Sequence, residues 1–292
     1  MPEAKLSLQA RWKLNDGHSI PCVGFGTYKL PGREAYEPTL HALKTGYRHV
    51  DSAALYENEK EVGEAVREGE KKLGVKRKDI FITTKIWNSD HGNPRAALEK
   101  SLQKLGMEYV DLYLIHWPVP QSVRTWKEFE KFQKEGKAKS IGVSNFTIED
   151  LEALLPETEV VPAVNQVEFS PFLYQKELLD YCRRKKILVE AYSPLTRGRR
   201  LQDPLLAELA QKYGKSVAQL LIRWCLQHEV VPLPKSAHAE RIEENAGVFG
   251  FTISPADMKR MDGLHEDLHT GWNPNNRIQK TIFDVVSPLK KV

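Results

Sequence analysis

The chain has 292 residues, 41% hydrophobic and 28% charged, a composition that can bury a large core and excludes an intrinsically disordered protein. The net charge is +4 at pH 7, with Lys and Arg mixed among Glu and Asp, which argues against a nucleic-acid partner and suits a small anionic ligand. The three cysteines, Cys22, Cys182 and Cys225, are widely spaced and form no C-x-x-C pair, which excludes a disulfide framework or a structural zinc site and makes a reducing cytoplasm the expected compartment.

In chain order, residues 6–20 read as a β-hairpin, because Asn15-Asp16-Gly17 falls between alternating runs and suits a tight turn. Short β-branched or apolar runs then alternate with longer stretches of helical period. The runs predict strands at 23–27, 47–50, 80–84, 110–115, 140–143, 163–167, 187–191 and 230–233. Helices are predicted between them at 59–73, 94–105, 125–134, 148–155, 176–185 and 216–227. Pro94 suits a first helical turn and Gly106 its end. This alternation predicts βαβ units on a parallel sheet: an α/β fold of the (β/α)8 TIM-barrel type, one domain over residues 1–292. The hairpin is expected to close the barrel floor, with residues 263–292 as a C-terminal loop and tail. Met1 to Ala10 carry no export signal, and no apolar run approaches the roughly 18 residues of a membrane span, so no membrane partner is expected. A monomer is expected.

In a parallel barrel the active site lies at the carboxyl ends of the strands. The successive runs end at Asp51, Lys85, His116, Ser144-Asn145, Asn165-Gln166 with Glu168, Tyr192-Ser193 and Lys235-Ser236. Each alone has an ordinary explanation: an Asp after a strand caps the next helix, a Lys there is solvated, a buried His satisfies a neighbour. Their placement at consecutive strand ends predicts one polar rim.

These residues resemble the aldo-keto reductase superfamily. The likeness is carried by Gly46-Tyr47-Arg48-His49-Val50-Asp51-Ser52-Ala53 with Tyr56, Thr84-Lys85, Leu114-Ile115-His116-Trp117-Pro118, Gly142-Val143-Ser144-Asn145-Phe146 and Pro234-Lys235-Ser236, in order between about Ile20 and Pro274. The short segments after His116 and Ser193 look most like the bacterial branch with diketogluconate and glyoxal reductases. The resemblance implies a catalytic tetrad of Asp51, Tyr56, Lys85 and His116. Hydride reaching a carbonyl carbon leaves an alkoxide, and a tyrosine hydroxyl can stabilise it and donate a proton. A cation about 4 Å away at an effective dielectric near 20 is worth roughly 4 kcal/mol, so Lys85 is expected to lower the Tyr56 pKa by up to about three, partly cancelled by Asp51. His116 is expected to orient the carbonyl oxygen.

A Rossmann turn is absent, since Gly24-Phe25-Gly26 lacks the third glycine and the ribose-binding acid. The resemblance implies another NADPH site. Gly26 and Thr27 belong to it; Ser144, Asn145 and Gln166 hold the carboxamide, Tyr192 stacks on the nicotinamide, and Ser193 with Leu195 lines the pyrophosphate path. Lys235, Ser236 and Arg241 surround the adenosine 2′-phosphate, with Glu244 and Asn245 near adenine. Arg241 also has a plainer reading, pairing with Glu244 or Asn245 on its helix. His238 stands where relatives often have Thr or Arg, which leaves the degree of preference for NADPH over NADH open. Arg197-Gly198-Arg199-Arg200 reads equally as a flap over the cofactor or a solvated loop. Tyr28, Trp87, Trp117 and Trp272 are expected to wall the pocket of a small carbonyl substrate, an aldose, dicarbonyl or aromatic aldehyde, while Trp12 and Trp126 read as packing.

Two rival functions are weighed. His265-Glu266-Asp267-Leu268-His269 formally matches the H-E-x-x-H of a zinc metalloprotease, but Gly271 and Pro274 follow at once and no third ligand is evident, so no metal is expected. A redox sensor or regulatory protein that keeps the cofactor on the same barrel is the other, and the intact tetrad argues against it.

Overall fold

A computed structural model describes residues 6–274; the expected tail beyond them, residues 275–292, lies outside the described residues. Strands β1 (Arg11–Lys13) and β2 (Ser19–Pro21) pair antiparallel as the expected hairpin. Eight further strands follow: β3 (Phe25–Gly26), β4 (His49–Asp51), β5 (Phe81–Ile86), β6 (Val110–Ile115), β7 (Ala138–Ser144), β8 (Val164–Glu168), β9 (Leu188–Tyr192) and β10 (Val231–Pro232). They lie side by side in chain order, and every neighbouring pair is parallel. Gly24 N donates to Pro232 O at 3.0 Å and Gly26 N to Pro234 O at 3.1 Å, so the last strand meets the first and the curled sheet closes into a barrel.

The helices around it are α1 (Tyr36–Thr45), α2 (Glu59–Leu73), α3 (Pro94–Leu105), α4 (Ser122–Lys134), α5 (Ile148–Leu154), α6 (Lys176–Arg184), α7 (Pro204–Tyr213), α8 (Val217–Gln227), α9 (Ala239–Ala246) and α10 (Pro255–Asp262). On α2, Val62, Ala65, Val66 and Gly69 recur at helical spacing and are the face that is buried. Helix α3 starts where Asn93 accepts from Ala96 N ahead of Pro94 and ends at Gly106, whose φ of 65° suits a residue without Cβ. The alternation had not singled out α1, α7, α9 or α10. Of these, α7 has a legible start, with the Asp203 side chain accepting from Leu206 N just before Pro204.

Side chains alternate along each strand, so every second residue points into the barrel. Nearest the hairpin the interior is apolar: Leu14 and Ile20 of the hairpin pack with Phe81, Leu112, Leu114, Ala163, Val164, Val231 and Leu233. Asn15 Nδ2 also donates to Pro162 O at 2.9 Å, fixing the hairpin across the floor. Two residues further along β5 comes Thr83, and two beyond that Lys85; on β9 the same steps run from Leu188 to Glu190 to Tyr192. The interior therefore changes from a dry floor to a polar mouth. Among the described residues no helix is long and apolar enough to cross a membrane.

Candidate active site

Asp51 ends β4 and Lys85 is the penultimate residue of β5, which places a carboxylate and an ammonium side by side inside the barrel. Lys85 Nζ donates to both Asp51 oxygens at 2.8 Å, to Ser52 O at 2.8 Å and to the Tyr56 hydroxyl at 3.3 Å. The lysine is fully buried, so this shell of acceptors replaces the water it has lost. Asn58 secures the turn that carries Tyr56. Its Oδ1 accepts from Ser52 Oγ at 2.7 Å, and its Nδ2 donates to Thr27 O at 3.0 Å and Leu30 O at 2.8 Å.

His116 follows β6 and faces Tyr56 edge-on, the ring centroids 5.7 Å apart. Burial first, and the Lys85 charge second, hold its pKa well below the usual histidine value, so the ring is neutral at pH 7. Its Nδ1 is enclosed without a partner among the described residues, and the residue lines the cavity.

The expected effect of Lys85 on Tyr56 is not found. Burial, followed by the Asp51 carboxylate and the Tyr28 and Tyr192 hydroxyls, pushes the phenol well above its usual value near 10, with Arg197 opposing them. The reason is geometric: both Asp51 oxygens lie on Lys85, so the phenol meets a neutralised pair in a dry site.

Asp51, Tyr56 and His116 open onto a cavity of about 820 Å³. Every residue expected in the site lines it except Lys85, which lies behind Asp51 and Tyr56, and Thr27, whose buried hydroxyl instead donates to Asp51 O at 2.8 Å. Tyr192 OH donates to Asn145 Oδ1 at 2.8 Å, Asn145 Nδ2 to His116 O at 2.9 Å, and Ser144 Oγ to Gln166 O at 2.7 Å. Trp87 stands edge-on to His116, with centroids 5.2 Å apart, and Tyr28 is 5.1 Å from Tyr56. Lys235, Ser236 and Arg241 line the wall at the end of β10 and the start of α9. Burial and then the nearby Lys29 charge lower the Lys235 pKa, which marks a crowding of cations. Arg241 and Glu244 both line the cavity, and among the described residues no ion pair joins them.

The Arg197–Arg200 loop divides between its two readings. Arg197 lines the cavity, with its guanidinium 5.4 Å from the Tyr28 ring centroid, while Arg200 turns away and pairs with Glu266. Ser193, Thr196 and Arg197 hold φ near 50°, an uncommon conformation for residues with a Cβ. The H-E-x-x-H segment is not helical: α10 ends at Asp262, Asp267 has φ 54°, and Phe172 O accepts from both Glu266 N and Leu268 N. His265 and His269 therefore do not share a helical face, which the zinc-protease reading required.

Glu190 was missed by the sequence reading. It lies one inward step below the mouth, where Gln166 Nε2 donates both to its Oε2 at 2.9 Å and to Asp51 Oδ1 at 2.8 Å. His49 Nε2 lies 3.6 Å from its other oxygen. Burial, then the Asp51 charge, raise its pKa from 4.5 to about 8. The folded chain thus holds a proton that the unfolded chain loses above about pH 4.5, so this group's contribution to stability is complete below that pH and declines as the pH rises towards 8. Glu190→Gln is expected to remove that decline, making the variant more stable than the parent above pH 8 by a few kcal/mol, on the order of 5 at most, and equal to it near pH 4. Urea unfolding of both proteins across this range measures the difference; parallel profiles would contradict it.

Comparison with known proteins places this arrangement. The sequence matches the model of the Aldo/keto reductase family over residues 22–266. A glyoxal reductase of Bacillus subtilis is 48% identical over 273 residues, covering 92% of this chain and 98% of that protein. An aldehyde reductase of Saccharomyces cerevisiae is 41% identical over 297 residues, covering 90% and 93%. Among solved structures, an aldo/keto reductase from Brucella melitensis has a TM-score of 0.83 at 44% identity, covering 87% of this chain and 99% of that one. A Bombyx mori aldo-keto reductase in complex with NADP has a TM-score of 0.85 at 34% identity, covering 89% and 94%. With eight parallel strands closed around a polar mouth and a family match over most of its length, this chain belongs to the aldo/keto reductase family.

Proposed function

We propose that this chain is an NADPH-dependent oxidoreductase that reduces small aldehydes and ketones to alcohols, with Tyr56 as the proton donor. The observation that carries the reading is that a Lys85-tethered phenol and a neutral imidazole open onto one cavity whose wall elsewhere bears crowded cations. The NADP-bound Bombyx mori relative and the glyoxal and aldehyde reductases support it.

The residues present fit the cofactor. Lys235, Ser236 and Arg241 offer two cations and a hydroxyl to a 2′-phosphate, and Lys29 adds to a charge density that such an anion relieves. Glu244 and Asn245 would hold the adenine, and Ser193 and Leu195 would line the path of the pyrophosphate. Gln166 commits its amide N–H groups to Asp51 and Glu190, which leaves its Oε1 for a carboxamide N–H, with Ser144 and Asn145 beside it. The Tyr192 ring, fixed by its bond to Asn145, would offer the nicotinamide a stacking surface. NADPH, when bound, supplies the hydride.

The protein's part is proton delivery and positioning. His116, neutral and lining the cavity, would orient the carbonyl oxygen by hydrogen bonding. Tyr56 keeps its proton at any physiological pH. An alkoxide is a much stronger base than a phenolate, so donation stays downhill even from a raised pKa, and Lys85 lies 3.3 Å from the phenolate oxygen that forms. Tyr28, Trp87, Trp117 and Trp272 exclude water from this step and suit small dicarbonyls, aldoses and aromatic aldehydes.

Purified protein with NADPH and a panel of such carbonyls tests the reading: cofactor oxidation dependent on substrate is expected, and none with any carbonyl would overturn it. Arg241→Ala is expected to raise the KM for NADPH about tenfold or more, the equivalent of one charge-assisted contact of about 1.4 kcal/mol or above, with that for NADH nearly unchanged. An equal loss for both cofactors would remove Arg241 from the phosphate.

A further inference from the structure

Glu168, the last residue of β8, is almost fully buried and takes no part in the chemistry above. Its carboxylate reaches across to a segment a hundred residues later. Thr270 N donates to Oε1 at 2.8 Å, the Thr270 hydroxyl donates to the same oxygen, and Gly271 N donates to Oε2 at 3.3 Å. The next residue is Trp272, which with Gly271 lines the cavity.

We propose that Glu168 is a positioning residue for substrate selectivity: by holding the Thr270-Gly271 turn it fixes the Trp272 wall against which an aromatic aldehyde packs. The inference rests on the carbonyl-reductase reading given above.

Relative strength favours this joint over the others that hold the segment. The Arg200–Glu266 pair is about two-fifths exposed on both sides, and an exposed ion pair contributes little. Phe172 O accepts from Glu266 N and Leu268 N at 3.1 Å each, but these bonds lie before the turn. A buried carboxylate receiving three donors is the stronger fastening, since charge-assisted bonds exceed neutral ones and a buried donor left unpaired is costly. Gly271 leaves room beside the turn. A Cβ there would lie 3.0 Å from Arg197 Nη2 and 3.8 Å from Glu168 Oε2, so its absence lets the guanidinium lie against the latched turn.

Glu168→Gln tests the proposal, because the amide keeps the shape but offers one accepting oxygen where two served three donors. The KM for benzaldehyde is expected to rise about tenfold with kcat within about twofold, while the KM for glyoxal, too small to reach Trp272, and the affinity for NADPH change by less than about twofold. Thr270→Val, which removes only the hydroxyl donor, is expected to shift the benzaldehyde KM in the same direction by less, and Thr270→Ser to restore it. Amide hydrogen exchange gives a readout independent of turnover: in Glu168→Gln the Thr270 and Gly271 amides are expected to exchange about tenfold faster or more, with the barrel strands unchanged. Equal KM changes for both aldehydes, or unaltered exchange at the two amides, would overturn the latch. Absence of reduction with every carbonyl would instead sink the enzymatic reading, and the exchange result would still decide whether Glu168 holds the turn.

Discussion

Tyr56→Phe is expected to lower kcat for carbonyl reduction by about a thousandfold while leaving NADPH affinity within about twofold. The substitution removes one oxygen from a ring that otherwise keeps its contacts: Tyr28 at 5.1 Å, His116 at 5.7 Å and the Lys85 ammonium over its face at 4.9 Å. The hydroxyl is the longest of the Lys85 interactions at 3.3 Å, and Asp51 and Ser52 keep the ammonium paired without it. The variant should therefore fold normally and bind cofactor normally, isolating the chemical step. His116 cannot substitute as the acid, because burial and Lys85 keep the ring unprotonated. Single-turnover rates alongside NADPH titration by fluorescence measure both halves. Turnover within tenfold of the parent would remove Tyr56 from the acid role.

How far the site was legible depends on why each residue lies where it does. Asp51, Lys85 and His116 stand out because ionisable groups at the ends of apolar runs are costly to bury without a purpose. Glu190 carries the same signal, a charge inside Leu188–Tyr192, but a reading confined to the last residue of each run passes over the inward position below it. Asn58 gives no such signal. It sits in Glu57-Asn58-Glu59, which looks like an exposed helix start, and is buried only because the Thr27 and Leu30 carbonyls, about thirty residues earlier, converge on it. The same limit applies to Arg197 and Arg200, three residues apart on a loop of uniform composition. The backbone is left-handed at Thr196, Arg197 and Gly198, after which Arg197 faces the cavity and Arg200 pairs with Glu266, and of these three only Gly198 marks that conformation in sequence. The Tyr56 pKa failed for a related reason. A pairwise estimate with Lys85 has the right partner and distance, but the outcome is set by desolvation and by where the Asp51 oxygens point.

Those oxygens carry the second large effect. Lys85→Met is expected to destabilise the fold by about 3–5 kcal/mol and to reduce kcat at least about a hundredfold. Methionine fills much of the lysine stem's volume, so the loss is electrostatic. Asp51 would remain buried with Gln166 as its donor and Glu190 across that amide, leaving an uncompensated carboxylate in a dry site. Adding Asp51→Asn removes the stranded charge. The double variant should regain most of the stability and none of the activity, because the phenolate formed at Tyr56 still lacks its cation. Denaturant unfolding of the two single variants and the double variant, with kcat for each, separates the structural duty of the pair from its catalytic one. If Lys85→Met were as stable as the parent, the buried pair would not be the strut these distances describe; if the double variant recovered turnover, Lys85 would have no part in stabilising the phenolate.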